Sequence, residues 1–227
     1  MLHRIGEADA TVVIPQFDRA ELTCACIESL RRQEPIRWPV IVVDDGSSPG
    51  CADAVMARGF LDTTVIRQPH TGVTAAWNLG AAHATTPLIV FLNNDVLFMD
   101  SAIERLISCL RQGAALVSGA AWRRERLLPH RVLRRLSTDR FLQGWCLAVS
   151  AETLRAIGGF DESMKVYWSD TDFQVRVLRA AGDPQALVCR SDLPLHHLGH
   201  RTAHRLPNRC AAWRADRAAF IAKWSGR

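Results

Sequence analysis

Leu88-Ile89-Val90-Phe91-Leu92-Asn93-Asn94-Asp95 is the stretch that decides the fold. Its apolar run has β-branched members and no alternation, so it predicts a central strand buried on both faces. The run ends in two amides and a carboxylate, where a buried strand leaves its sheet. In open α/β sheets, ligands bind outside that carboxyl edge. A carboxylate there can hold a hard divalent cation, which in turn can hold a diphosphate. The same tripeptide is also ordinary turn chemistry, so the surrounding chain has to decide.

Upstream, Val12-Val13-Ile14 predicts a strand closed at Pro15. Leu22, Cys26, Ile27 and Leu30 lie at helical spacing within 21–32. Val40-Ile41-Val42-Val43 predicts a second buried strand, stopped by Asp44-Asp45-Gly46-Ser47. A helix over 51–58, a strand over 63–67 and a helix of small residues over 74–84 lead back to the opening stretch. Downstream, Ser101 and Glu104 form a capping box ahead of Ile103, Leu106, Ile107 and Leu110. This β-α-β order predicts an α/β domain with a mostly parallel sheet and right-handed crossovers. The second half is less regular. Strands are expected over 115–119, 146–149 and 186–189, helices over 151–157, 170–181 and from 208, and a basic loop or excursion over 122–142.

The chain has 227 residues, a length for one domain over 1–227. Seven scattered cysteines form no CxxC pair, so neither a disulfide framework nor a zinc site is expected. Glu7 and Asp9 interrupt the N-terminus, which does not read as a signal peptide. Reduced thiols and a cytoplasmic location follow. Net charge is +5 and uneven, with six arginines between Arg123 and Arg135 and more in the tail. Such a patch suits an anionic partner or a solvated surface. No nucleic-acid motif accompanies it. GxGxxG after the first strand, the P-loop and GxSxG are all absent, which argues against dinucleotide, Walker-type and α/β-hydrolase chemistry.

Polar residues gather at strand ends. Asp44 and Asp45 close the second strand and read either as a turn or as acceptors for a base or ribose. Gly72 and Asn78 flank the start of the small-residue helix, where a backbone can approach phosphates. Ser169-Asp170-Thr171-Asp172 opens a helix, with Ser169 as N-cap and Asp172 as its box partner. Asp170 has no such duty, and a carboxylate fixed at a helix start suits a general base. His196 and His197 are adjacent in an extended segment, so one of them at most is expected to face a metal. His200 and His204 are four apart, but Gly199 argues for a loop.

Together these segments resemble the family-2 glycosyltransferases of the GT-A fold, a Rossmann-like nucleotide-diphospho-sugar transferase fold, especially bacterial rhamnosyltransferase-like members. The resemblance runs in order over about 11–202. It is carried by Val12-Val13-Ile14-Pro15, Val42-Val43-Asp44-Asp45-Gly46-Ser47, Asn78-Leu79-Gly80 and Phe91-Leu92-Asn93-Asn94-Asp95-Val96. Gly158-Gly159-Phe160-Asp161-Glu162, Ser169-Asp170-Thr171-Asp172-Phe173 and His197-Leu198-Gly199 continue it. The resemblance implies an enzyme that moves a sugar from a nucleotide-sugar donor to an acceptor hydroxyl, inverting and dependent on Mg2+ or Mn2+, in bacterial glycan or polysaccharide synthesis. It makes 1–113 the nucleotide-binding half and 114–227 the acceptor and catalytic half.

Residue by residue, the resemblance implies that Asp44 contacts the nucleobase, with Asp45 beside it, and that Gly72, Asn78, Asn93 and Asn94 serve the nucleotide-sugar. Asp95 binds the metal, His197 completes its shell, and Asp170 is the base. Trp145 and Asp161 fall where acceptor contacts are usual. The basic loop 123–135 would approach a glycan or lipid-linked acceptor at the inner face of a membrane. Three positions depart from the family pattern: Asn93 stands for the first aspartate of DxD, Ser169 for the acid before the base, and Pro15-Gln16-Phe17 for Thr-Tyr-Asn. They leave open a non-catalytic sugar-nucleotide or glycan-binding relative. A nucleotidyltransferase would carry a Gly-rich basic loop after the first strand, which Pro15-Gln16-Phe17-Asp18 is not.

Overall fold

The computed structural model describes residues 8–125, 128–136, 138–199 and 208–226. Its centre is the opening stretch: β4 (Leu88–Leu92) is buried along its whole length. β1 (Ala10–Gln16) and β2 (Val40–Asp45) are equally buried, and β3 (Thr63–Gln68) forms one edge. β6 (Leu116–Ser118), β9 (Cys146–Ser150) and β10 (Leu187–Cys189) complete a seven-stranded sheet in the order β10-β6-β9-β4-β1-β2-β3. All neighbours are parallel except β9, which runs antiparallel to β4 and β6. The mostly parallel α/β sheet expected from the sequence is therefore present.

Pro15 does not close β1; it pairs in register with Val43. Val12 N–H donates to Pro39 O on the β2 side. By alternation the missing N–H of Pro15 points toward β4. The β4 pairing already ends at Val13, so the proline forfeits no ladder bond.

Helices cover both faces. α1 (Ala20–Gln33), α2 (Cys51–Met56) and α4 (Ile103–Arg111) lie on one, and α3 (Val73–His83), α6 (Ala151–Ala156) and α7 (Ser169–Ala181) on the other. The capping box at Ser101 is not made. Glu34, at the end of α1, reaches across and accepts from Ala102 N and Ile103 N at 2.7 and 2.9 Å. That long-range cap leaves Glu104 to pair with Arg111 at 2.5 Å.

The expected basic loop is also replaced. β7 (Trp122–Arg124) pairs antiparallel with β8 (Arg140–Leu142), and α5 (His130–Leu136) lies between them in sequence. Val132 and Leu136 of α5 pack with Phe220 and Trp224 of α8 (Arg209–Ser225) in a separate apolar cluster. β11 (Leu195–His197) returns to pair with β5 (Val96–Phe98), just past Asp95. Among the described residues no helix is long and apolar enough to cross a membrane. Arg126, His200, Arg201, His204 and Arg205 lie outside the described residues.

Candidate active site

The carboxyl ends of β1, β2 and β4 open into a cleft of about 570 Å3, closed on the far side by the start of α7 and the β7–β8 hairpin. Asn93, Asn94 and Asp95 line it, as do Asp45, Gly72, Trp145, Asp170 and His197. Eight of the eleven expected site residues therefore meet in one place. Asp44, Asn78 and Asp161 are not part of its wall.

Asp95 is buried at the end of β4, and its Oδ1 lies 3.1 Å from His197 Nε2. The β5–β11 pairing fixes that meeting, because His197 sits opposite Val96 in register. Leu198 N also donates to Asp95 O at 2.9 Å. Trp145 stacks on the His197 ring at 5.0 Å and 19°. The resulting carboxylate and imidazole are ligand types for a divalent cation. Among the described residues no third His, Cys, Asp or Glu joins them as a ligand cluster. Cys26 lies nearby, but burial and the Asp95 charge push its thiol up, so it is not a ready thiolate.

Asp45 is saturated by protein. Its oxygens accept from Thr71 N at 2.8 Å, Gly72 N at 2.9 Å and Gln68 Nε2 at 2.6 Å, and His70 Nδ1 lies 2.9 Å away. It thereby caps the loop that enters α3. Gly72 has φ +110°, and a Cβ there would meet Lys165 O at 2.7 Å. Its lack of a side chain lets the 164–168 segment close against α3. Asp44 is spent on Gln16 Nε2 at 2.8 Å and Ser47 N at 3.1 Å. Asn78 bridges to Phe160 through both its side-chain oxygen and nitrogen, tying α3 to the Gly158–Glu162 turn. Asp161 pairs with Lys223 of α8 at 2.6 Å.

Asp170 and Asp172 part company, though not through a cap. The N-cap of α7 is Trp168, and no side chain caps it. Asp172 is fully buried and bonds Arg176 Nε at 2.7 Å and Trp224 Nε1 at 3.0 Å. Lys223 Nζ also lies 2.8 Å from it. Asp170 faces the cleft, where Arg123 Nη2 donates to its two oxygens at 3.1 and 3.2 Å. Burial pushes the neighbouring Glu125 carboxyl up against the opposing effect of Arg123.

Sequence reasoning passed over several residues. Phe17 stacks on His70 at 4.2 Å and 28° beside Asp45, forming a flat wall that can take a planar ring. Gly144 lies against Asp170: a Cβ there would meet Asp170 Cβ and Oδ2 at 2.6 Å. Asp216 of α8, buried, accepts from Lys165 N, Val166 N and Tyr167 N at 3.2, 2.9 and 2.8 Å. It thus fixes the segment that carries Tyr167 and Trp168 into the cleft. Nothing local in the sequence marks these roles, since each depends on a contact distant along the chain.

The sheet order and the cleft at its carboxyl edge define a GT-A-type α/β fold. The chain belongs to glycosyl transferase family 2, whose model matches residues 11–170. It is 30% identical over 209 residues to the pre-mycofactocin glycosyltransferase of Mycobacterium tuberculosis, covering 79% of this chain and 42% of that protein. An uncharacterized glycosyltransferase of Rickettsia bellii is 25% identical over 121 residues, covering 53% of this chain and 18% of the relative. The chain thus spans less than half the length of either. A mannosyltransferase from Pyrobaculum calidifontis, solved in complex with GDP-Man and Mn2+, superposes with a TM-score of 0.63 at 22% identity. That alignment covers 96% of this chain and 64% of the other.

Proposed function

We propose that the protein transfers a sugar from a nucleotide-diphospho-sugar to an acceptor hydroxyl, with inversion and with Mg2+ or Mn2+. The observation that carries this reading is the Asp95–His197 pair, which shares one cleft with Asp170. The pair fits a divalent ion that takes its remaining ligands from diphosphate and water, the usual habit of Mg2+. When bound, such an ion neutralises the diphosphate as it leaves. The carboxylate and imidazole donors here, and the Mn2+ bound by the Pyrobaculum enzyme, support this reading.

Within this reading, about 1–113 forms the nucleotide half and about 114–227 the acceptor half. The Phe17–His70 wall, Gly72, Asn93 and Asn94 hold the donor. Asp45 lines the cleft and holds Thr71 and Gly72 in place, and Asp44 and Asn78 support that half from behind. Asp170 accepts the proton of the acceptor hydroxyl. The acceptor oxygen bonds to the anomeric carbon as the carbon–phosphate oxygen bond breaks on the opposite face, and the nucleoside diphosphate departs. No covalent enzyme intermediate forms. Trp145 and the Trp168 side of the cleft receive the acceptor. A role in bacterial glycan synthesis at the cytoplasmic face of a membrane completes the proposal.

Arg123, which engages both oxygens of Asp170, favours a second reading: a module that binds sugar nucleotides without turnover. Thermal-shift screening of nucleotide-sugars with Mn2+, followed by product analysis, separates the two. Transfer with inverted anomeric configuration supports the enzyme. Stoichiometric binding with no product over many hours supports the module.

A further inference from the structure

α8 carries two distinct faces. Asp216, Phe220 and Trp224, spaced by four, are buried against the α5 and α7 side. Arg214, Arg217, Ala218, Ile221, Ala222 and Ser225 recur at i, i+3, i+4, i+7, i+8 and i+11, the spacing of a single helix face. That second face, with Arg131 of α5, lines a shallow groove of about 450 Å3. Among the described residues, three arginines line the groove and no acidic residue does. Asp216, the nearest carboxylate in sequence, is turned inward onto Lys165–Tyr167. Trp213 walls both this groove and the candidate active-site cleft, and Arg217 lies over its ring at 5.7 Å.

We infer that this groove docks an anionic phospholipid surface, with phosphate headgroups on the exposed Arg131 and Arg214 and the lipid's apolar part against Ile221 and Ala222. The chemistry is the alternation on one face. Guanidinium groups form forked hydrogen bonds to phosphate oxygens. Small and branched apolar residues between them match the boundary between headgroup and acyl chain. A tryptophan at the rim suits the same boundary, with an apolar body and one polar N–H. A purely solvated basic face would alternate arginine with other polar side chains instead of Ala218, Ile221 and Ala222. The shared Trp213 puts the docked surface beside the cleft, so an acceptor held in that surface would meet Asp170 from the side of α7 and α8. This last step rests on the glycosyl-transfer reading; the docking itself does not.

The basic stretch 123–135 contributes less than its composition suggests. Arg123 is committed to Asp170 and Arg124 lies near Asp139. Of that stretch's described arginines, only Arg131 lines the groove.

The test is flotation of the whole chain with phosphatidylcholine vesicles, with and without phosphatidylglycerol. An arginine near an anionic surface strengthens binding about fivefold. The R131Q/R214Q variant, in which both altered side chains are exposed, should therefore bind phosphatidylglycerol vesicles roughly 25-fold more weakly. Its melting temperature and its affinity for nucleoside diphosphate with Mn2+ should not change. Should that variant unfold, Ala222→Asp, which places a carboxylate on the same exposed face, should give a comparable loss. Wild-type binding that ignores phosphatidylglycerol, or variants that bind like wild type, would overturn the docking site. So would displacement by inorganic phosphate at constant ionic strength, which would make this a site for a small anion, or a preference for single-stranded oligonucleotide over vesicles. Wild-type protein that binds nucleotide but not phosphatidylglycerol vesicles would sink this inference alone. Intact vesicle binding without nucleotide binding would sink the enzyme reading alone.

Discussion

Asp172→Asn should unfold the protein early while leaving its chemistry intact. The carboxylate is fully buried between α7 and α8. It receives Arg176 Nε at 2.7 Å and Trp224 Nε1 at 3.0 Å, with Lys223 Nζ 2.8 Å away. Arg176 in turn donates to Ile157 O and Gly159 O at 2.7 and 2.5 Å. Asparagine keeps the volume but removes the only buried anion among these contacts, and its amide turns a donor toward donors. A lost helix cap would cost about 1 kcal/mol. Breaking a buried charge pair and leaving its partner uncompensated costs about 3–5 kcal/mol. The second figure governs here, because the guanidinium cannot give up its charge. Against a typical total of roughly 5–15 kcal/mol, urea unfolding should show a much lower midpoint with unchanged slope. The melting temperature should fall by about 6–20 °C. A loss below about 1 kcal/mol, or lost turnover in a fully folded variant, would refute the assignment of Asp172 to structure.

Asp170→Asn should show the opposite pattern. Its turnover should drop by about 10²–10⁴-fold with an unchanged melting temperature and unchanged donor binding, as read by steady-state kinetics and calorimetry. Gly144→Ala forces a Cβ onto Asp170; a displacement of that scale should cost on the order of 10²-fold in turnover, measured alongside an unaltered donor affinity. Asp161→Asn should lower stability near neutral pH and make the remaining stability less sensitive to acid. Burial pushes the Asp161 carboxyl up, but hydrogen bonds from Lys223 and Ser163 outweigh it and hold it at about 2, below its ordinary 3.8. A depressed carboxylate stabilises the fold above its unfolded value, and that contribution is lost as pH falls toward the folded one. The gap in unfolding free energy between wild type and variant should therefore be constant above pH 4 and shrink between about pH 4 and 2. A gap that stayed constant to pH 2 would contradict the Lys223 pairing.

Much of the fold was legible because its strongest signals are local. β1, β2 and β4 are short, unbroken apolar runs that end in acids or amides, and a parallel core strand has few other readings. The carboxyl-edge cleft followed from them, which is why Asn93, Asp95 and Asp170 come together as expected. What the sequence hid are contacts made at long range. Glu34 displaces the local box at Ser101, since a helix start needs acceptors and does not discriminate where they come from. Asp172 resembles a box partner by spacing, yet it serves α8, which follows about forty residues later. Asp44 and Asn78 sit at the expected positions and spend their polar atoms on neighbours. The excursion between β7 and β8 was read as a loop because its arginines mask the apolar pair Val132 and Leu136, which packs it onto α8.

The most direct test is calorimetry of the nucleoside diphosphate that stabilises the protein best, titrated with Mn2+ and again with EDTA. Wild-type protein should bind markedly more tightly with Mn2+. Asp95→Ala should bring the two affinities together, because the buried carboxylate beside His197 would no longer hold the ion that meets the diphosphate. Equal wild-type affinity in Mn2+ and EDTA would contradict a metal-bridged donor at the end of β4.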